Sequence, residues 1–300
     1  MRARLLGTGA GGGFPQWNCA CRGCERARAR HAGTRVRTQS SLALNANGTE
    51  WYLVDATPDV RVQVEAFPLL RPGPGLRQTP IRGILLTDAE LDHTVGLLVL
   101  REGAELTVHS TATVREALSG PFPVREMLRP YATLEWIEVR PGASFVLDGG
   151  RIRAVAFRTG SKAPRYVGSA VRGDGWSVGY RFEDTSTGGA LAYVPGLEAW
   201  TPEVEEHLAG TGAVFLDGTF WSDDELVALH ASESTAREMG HLPMTGPGGT
   251  ARRLAELAVP LKAYVHVNNT NPVLREDGPE YRFLASLGIG VGWDGLEVEL

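Results

Sequence analysis

The chain has 300 residues, 43% of them apolar and 22% charged, which excludes a disordered or fibrous protein and leaves room for one large core. Thirty basic against thirty-five acidic side chains give a formal charge of -5, so neither nucleic acid nor an anionic membrane surface is an expected partner. No apolar stretch approaches the roughly 18 residues of a membrane span. The opening segment from Met1 to Gly13 lacks the apolar run of a secretory leader, so a cytoplasmic setting without membrane insertion is expected.

Apolar and β-branched runs predict strands, in chain order, at Arg2–Leu6, Ser41–Leu44, Trp51–Val54, Ile81–Leu86, Leu106–His109, Ile152–Phe157, Ser177–Phe182, Leu191–Val194, Ala213–Leu216, Ala263–Val267 and Leu296–Leu300. Apolar residues three or four apart predict helices at Leu91–Arg101, Thr111–Leu118, Pro202–Leu208, Thr250–Leu257 and Pro279–Leu287. Pro68–Pro80 reads as a surface loop and Asp184–Gly189 as a hairpin turn. Strands mixed with helices in both halves, without a repeat or low-complexity tract, predict an α/β chain of helix-covered sheets forming one domain over residues 1–300.

Gly7-Thr8-Gly9-Ala10-Gly11-Gly12 satisfies the dinucleotide pattern after a strand, but Gly13-Phe14-Pro15 follows where a helix is needed. Arg26, Arg28, Arg30 and His31 stand where an acidic ribose partner belongs. The glycines are therefore read as a loop that allows close backbone approach to a site.

Cys19, Cys21 and Cys24 are the only cysteines, too few and too close for a secreted disulfide framework. Three thiolate donors on one tight loop suit a structural Zn²⁺ clip, with His31 as the expected fourth ligand and another His, an Asp or a residue of a neighbouring chain as the alternatives. A second constellation comes from apolar strands that end in ligand-type residues. Ile84-Leu85-Leu86 runs into Thr87-Asp88-Ala89-Glu90-Leu91-Asp92-His93, Val214-Phe215-Leu216 into Asp217-Gly218-Thr219, and Tyr264-Val265 into His266. His241 lies in a further loop. Together these donors predict a metal site, whereas His109, His207 and His230 lack such partners and read as surface or packing residues.

The order Thr-x-x-x-x-Asp-His, then Asp-Gly-Thr, then a late strand ending in His resembles the metallo-β-lactamase superfamily, an αββα four-layer sandwich. The usual His-x-His-x-Asp-His of that family reads here Asp88-x-Glu90-x-Asp92-His93, without its two leading histidines. Residues 9–19, Arg37-Thr38-Gln39-Ser40-Ser41, Asp217–Trp221, Ala236–Pro243 and His266–Pro272 resemble the PqqB family of pyrroloquinoline quinone biosynthesis over nearly the whole chain. The resemblance implies a role in making that redox cofactor from a crosslinked Glu-Tyr precursor, either as an iron-dependent hydroxylase or as a carrier toward the periplasm. A metal-dependent hydrolase is the third alternative.

The loss of both leading histidines weakens the first metal site of the superfamily and leaves Asp92, His93 and His266, with Asp217 as a fourth ligand or as an acceptor orienting an imidazole. Two imidazoles and one carboxylate with open positions suit Fe²⁺ that binds O₂ and substrate, so oxygen chemistry is favoured over hydrolysis. His241 is expected as a proton donor or acceptor, with Asp88 and Glu90 taking protons or binding amino groups. Arg37, Gln39, Ser40, Lys162, Arg165, Asn268 and Asn269, with Trp17 and Trp221 as stacking faces, are the expected contacts to a carboxylate-rich aromatic precursor. The resemblance leaves room for a homodimer and for contacts with other cofactor-biosynthesis proteins.

Overall fold

A computed structural model describes residues 1–102 and 105–300. Among the described residues, fourteen strands form two seven-stranded sheets. The first sheet holds β1 (Arg2–Gly7), β2 (Ser41–Asn45), β3 (Trp51–Val54), β4 (Ile81–Leu85), β5 (Glu105–Ser110), β6 (Thr133–Glu138) and β14 (Glu297–Glu299) in the order β14-β1-β2-β3-β4-β5-β6. The second holds β7 (Ser144–Leu147), β8 (Ile152–Gly160), β9 (Ser177–Asp184), β10 (Ala190–Val194), β11 (Ala213–Asp217), β12 (Leu261–Val265) and β13 (Gly290–Val291) in the order β13-β12-β11-β10-β9-β8-β7.

The sheets bury their facing sides against each other. Leu5, Leu42, Leu44, Val54 and Leu85 of the first meet Tyr180, Phe182, Tyr193, Phe215 and Val265 of the second. Their outer sides are covered by helices: Val60, Leu97 and Val114 pack on Leu53, Ile84 and Val108, while Val204, Leu208, Leu254 and Leu284 pack with Val194, Leu216 and Tyr264. These four layers are the αββα arrangement that the resemblance implies, and the parallel strands β3 and β11 are buried along their whole length, as are the carboxyl-terminal halves of β4 and β12.

All eleven expected strands form. Three more, β6, β7 and β13, end their sheets or lie at an edge, and β6 alternates half-buried Leu134 and Trp136 with exposed Thr133, Glu135 and Glu138. Such charged edge strands carry little of the apolar signal that marks a core strand. The expected helix Leu91–Arg101 divides into Leu91–Thr94 and Gly96–Val99. Gly96 seats its backbone against the β3 exit, where its N–H donates to Ala56 O at 2.9 Å and the Ala56 N–H donates to His93 O at 2.8 Å. A Cβ on Gly96 would stand 2.2 Å from Thr57 O, so only glycine lets the His93 helix dock there. Among the described residues, no helix is long and apolar enough to cross a membrane.

The parallel strands β3 and β4 of one sheet and β11 and β12 of the other send their carboxyl ends to the same edge of the sandwich. The glycine loop joins them there. Gly9 bridges both Gln39 and Val267, and the Ala10 N–H donates to Val267 O at 3.0 Å. A Cβ on Gly11 would lie 3.3 Å from Asp92 Oδ2, the close approach that the glycine-rich sequence implies.

Candidate metal centre

After β4 the chain turns through Asp88 and enters a helical turn at Leu91, which carries Asp92 and His93 to the sandwich edge. His93 is buried, and its Nδ1–H donates to the Asp88 carboxylate, 2.9 Å from each oxygen. In the neutral ring, the form that binds a metal, that leaves Nε2 as the unprotonated nitrogen. His93 Nε2 has no hydrogen-bond partner, although it is shut away from solvent. A buried lone pair without a partner is costly, and a cation supplies one. Asp88 is thus the acceptor that orients His93, rather than a free carboxylate offered to substrate, and the Asp88 Oδ1 also receives the Glu90 N–H at 2.8 Å.

The second sheet contributes His266, one residue past β12, at a φ of 54°. A non-glycine residue held in this left-handed region stores strain of about 1–3 kcal/mol, which marks a position the surroundings over-determine. His266 Nδ1–H donates to Thr219 Oγ1 at 2.8 Å, and Thr219 Oγ1 donates to Asp217 Oδ1 at 2.6 Å. His266 Nε2 therefore faces Asp92 Oδ2, 3.3 Å away. One ligand atom each from Asp92, His93 and His266 lies within 4.8 Å of the others. The donor set, the orphaned Nε2 and the outer acceptors on both imidazoles fit a divalent cation.

Asp217 is fully buried, and its four acceptor positions are all taken. Oδ1 receives the Thr219 N–H at 3.0 Å and the Thr219 hydroxyl, while Oδ2 receives the Leu197 N–H at 2.9 Å and His241 Nδ1–H at 2.7 Å. Asp217 thus orients His241 directly and His266 through Thr219, and one ligand atom each from Asp217, His241 and His266 also lies within 4.8 Å of the others. His241 is left with Nε2 as its free nitrogen, and its ring stacks on that of His266 at 5.4 Å between centroids. Asp55, which the sequence reading passed over, follows β3 at a φ of 65° and accepts the Thr87 N–H at 2.8 Å. Its signal was the same apolar strand ending in a carboxylate, here Leu53-Val54-Asp55.

Burial alone would depress the His93 imidazole, but Asp88, Asp55 and Asp92 outweigh it and hold the ring well above the ordinary histidine range. Burial likewise opposes His241, and Asp217 raises it. Asp92 moves the other way: burial penalises its charge, yet His93 and His266 pull it below the usual carboxylate range. Carboxylates crowded around imidazoles in this way collect positive charge, and a metal ion supplies it in place of protons. The centre opens into a cavity of about 560 Å³, a size that suits a small molecule. Glu90, Lys162, Arg165 and Tyr166 line its wall, and Asn268 and His241 its floor. Burial and the neighbouring Asp88 and Asp92 push Glu90 up to about 7, and burial lowers the Lys162 ammonium.

The β-lactamase superfamily domain profile matches residues 50–267. Coenzyme PQQ synthesis protein B of Methylococcus capsulatus is 44% identical, with both chains aligned over their full length. That of Pseudomonas syringae pv. syringae is 42% identical, again over all of both chains. The chain belongs to the PqqB family. The crystal structure of Zn²⁺-bound PqqB from Methylobacterium extorquens covers all of both chains at 34% identity with a TM-score of 0.92. A diphosphatase of the PhnP family, at 19% identity and a TM-score of 0.69, shares the fold.

In this PqqB-family chain the other expected site residues divide by burial. Asn268, Lys162 and Arg165 line the cavity, whereas Arg37, Gln39, Ser40, Asn269, Trp17 and Trp221 do not. Arg37 is buried, where it donates to Thr8 Oγ1 at 2.8 Å and to Gly292 O, and burial lowers it to about 10 despite nearby Asp294. Gln39 uses its backbone, donating N–H to Asp59 Oδ2 at 3.0 Å and accepting from Gln63 Nε2 at 2.7 Å. Ser40 is fully buried beside it, its N–H on Gly9 O. These three stitch the glycine loop to β2 instead of meeting a ligand. Trp221 packs edge-on against Phe283, and Trp17 is 86% exposed.

The three cysteines gather with one sulfur each within 4.8 Å of the others. Cys24 lies in a helix, Arg22–Arg28, that Cys21 caps through its Sγ, so the cluster is less a loop than a helix start. His31, the expected fourth ligand, is exposed and turns its Nδ1 to Ala32 O at 2.8 Å. Asn269, expected at the substrate, stands over the sulfurs instead.

Proposed function

We propose that the chain acts in the synthesis of coenzyme PQQ as an Fe²⁺- and O₂-dependent hydroxylase of a tyrosine-derived, crosslinked Glu-Tyr precursor. The observation that carries this reading is the meeting of two Nε2 lone pairs, from His93 and His266, with one carboxylate, Asp92, at the floor of an open cavity. Asp92, His93 and His266 would hold Fe²⁺, for which two imidazoles and a carboxylate are a suitable donor set. When bound, Fe²⁺ supplies the activation of O₂. One oxygen atom enters a ring C–H bond and the other leaves as water; the two further electrons come from oxidation of the hydroxylated ring to a quinone or from an added reductant.

The chain's own residues bind the precursor and move its protons. His241, its Nδ1–H locked on Asp217, presents Nε2 to take a proton from a ring hydroxyl and return it. Lys162 and Arg165 on the cavity wall face the precursor's carboxylates, and Glu90 its ammonium. A two-metal hydrolase is disfavoured because Asp88 and Glu90 replace the histidines of the first site.

The test is oxygen uptake by anaerobically Fe²⁺-reconstituted protein given a dopa-derived amino diacid, with ascorbate present or absent and Zn²⁺-loaded protein as control. Uptake with a hydroxylated or quinone product is expected only with Fe²⁺. Substrate binding without uptake would move the weight to a carrier, and ester or amide cleavage by the Zn²⁺ form would favour a hydrolase.

A further inference from the structure

The cysteine cluster lies outside the cavity, and one feature of it belongs to no ordinary amide. Asn269 Nδ2 stands 3.1 Å from Cys19 Sγ, 3.7 Å from Cys21 Sγ and 3.4 Å from Cys24 Sγ, so one atom caps three sulfurs at similar distances. A primary amide nitrogen has two hydrogens and cannot donate to three acceptors at once. The position makes sense as the fourth corner of a tetrahedron. An ion about 2.3 Å from each sulfur and about 2.0–2.2 Å from an oxygen sets sulfur-to-oxygen edges of about 3.6 Å.

We propose that Asn269, through its side-chain carbonyl Oδ1, is the fourth ligand of a metal ion held by Cys19, Cys21 and Cys24. A half-turn about the Cβ–Cγ bond exchanges Nδ2 for Oδ1 at the capping corner without changing the shape of the side chain. No other bond is given up, since Asn269 Oδ1 accepts no hydrogen bond among the described residues. Asn269 is buried, so water does not compete freely for the corner. Two backbone donors already point at the cluster, Cys21 N–H to Cys19 Sγ at 3.4 Å and Cys24 N–H to Cys21 Sγ at 3.5 Å, and Cys21 Sγ lies 3.6 Å from Asn269 O. The inference rests on the cluster holding a metal, as its three sulfurs imply.

The capping residue also has a position in the fold. It follows His266 by three residues and Asn268 by one, and the Asn268 N–H donates to Thr219 O at 3.0 Å. The cysteine clip therefore anchors the end of the segment that carries a ligand of the cavity centre and part of the cavity floor.

The experiment is Co²⁺ titration of metal-free protein, followed by the thiolate-to-cobalt charge-transfer band, which imidazoles and carboxylates of the cavity do not give. The wild type, Asn269→Ala and Asn269→Asp are compared. The wild type should develop the band at one equivalent; absence of any band would overturn the underlying site. Asn269→Ala should bind Co²⁺ at the sulfurs at least 10-fold more weakly, and Asn269→Asp should restore or tighten binding with shifted ligand-field bands. Equal affinity and an unchanged spectrum in Asn269→Ala would overturn the proposal. If that variant does not fold, an Asn269→Asp protein whose thiolate-site spectrum matches the wild type would overturn it equally.

Discussion

His93→Ala is expected to abolish metal loading at the cavity centre and, with it, oxygen-dependent turnover. His93 Nε2 is a ligand atom that no other group replaces, because it is buried, unpartnered and held in one tautomer by Asp88. Alanine removes the ligand and leaves Asp88, Asp55 and Asp92 crowded together without the imidazole that offsets their charge. The loss should exceed the 10–100-fold in affinity that removal of an outer partner typically costs. Asp88→Asn supplies that comparison: it keeps the ligand, weakens the Nδ1 acceptor, and should reduce affinity by about 10–100-fold while leaving a measurable site. Metal content after anaerobic Fe²⁺ loading, together with calorimetric titration, separates the two. A His93→Ala protein that retains one equivalent of metal in the cavity would refute the assignment.

The second large effect is on folding. Asp217→Ala should lower the unfolding free energy by about 3–5 kcal/mol, the range seen when one partner of a buried charged network is removed. Four donors lose their acceptor together: two backbone N–H groups, the Thr219 hydroxyl and His241 Nδ1–H. Asp217→Asn is not a mild substitution here, since its NH₂ must point at one pair of those donors. Burial opposes the Asp217 charge, but His241, His266 and Thr219 outweigh it and hold the carboxyl below its usual range. A group depressed on folding stabilises the protein fully above its unfolded pKa of about 3.9 and loses that contribution as the pH falls through the lower folded value. Urea titrations of metal-free protein between neutral and acid pH measure both parts. A loss under 1 kcal/mol at neutral pH, or an acid limb unchanged in the variant, would contradict the network.

The junctions where apolar strands end in ligand-type residues were readable from the chain: Asp92, His93 and His266 form one ligand group, and Asp217 joins His241 and His266 in an adjoining one. Asp55 had the same signature and was passed over, because a lone aspartate after Trp51–Val54 also reads as an ordinary turn residue. Arg37, Gln39 and Ser40 misled for a different reason. A polar cluster next to a glycine loop serves equally to meet a ligand or to tie that loop down, and only burial tells the two apart. Asn269 was invisible as a partner of the cysteines, since the contact spans 245 positions to Cys24 and an amide is not a residue type that announces a metal. The edge strand β6 was hidden by its exposed charges, whereas the long core strands stood out by their apolar faces.

The candidate ligands come from both halves of the sandwich: Asp92 and His93 follow β4 of one sheet, and His266 follows β12 of the other, 174 positions away from Asp92. An ion at that seam would act as a rivet between layers, added to side-chain packing, the glycine-loop bridges and direct hydrogen bonds such as Val178 N–H to Thr87 O at 2.8 Å and Tyr180 O–H to Leu86 O at 2.9 Å. Because it binds the closed sandwich and not the open chain, a concentration one hundred times its dissociation constant would add about 2.7 kcal/mol to the work of prying the sheets apart. The empty and loaded proteins would then differ less in shape than in how readily the seam breathes.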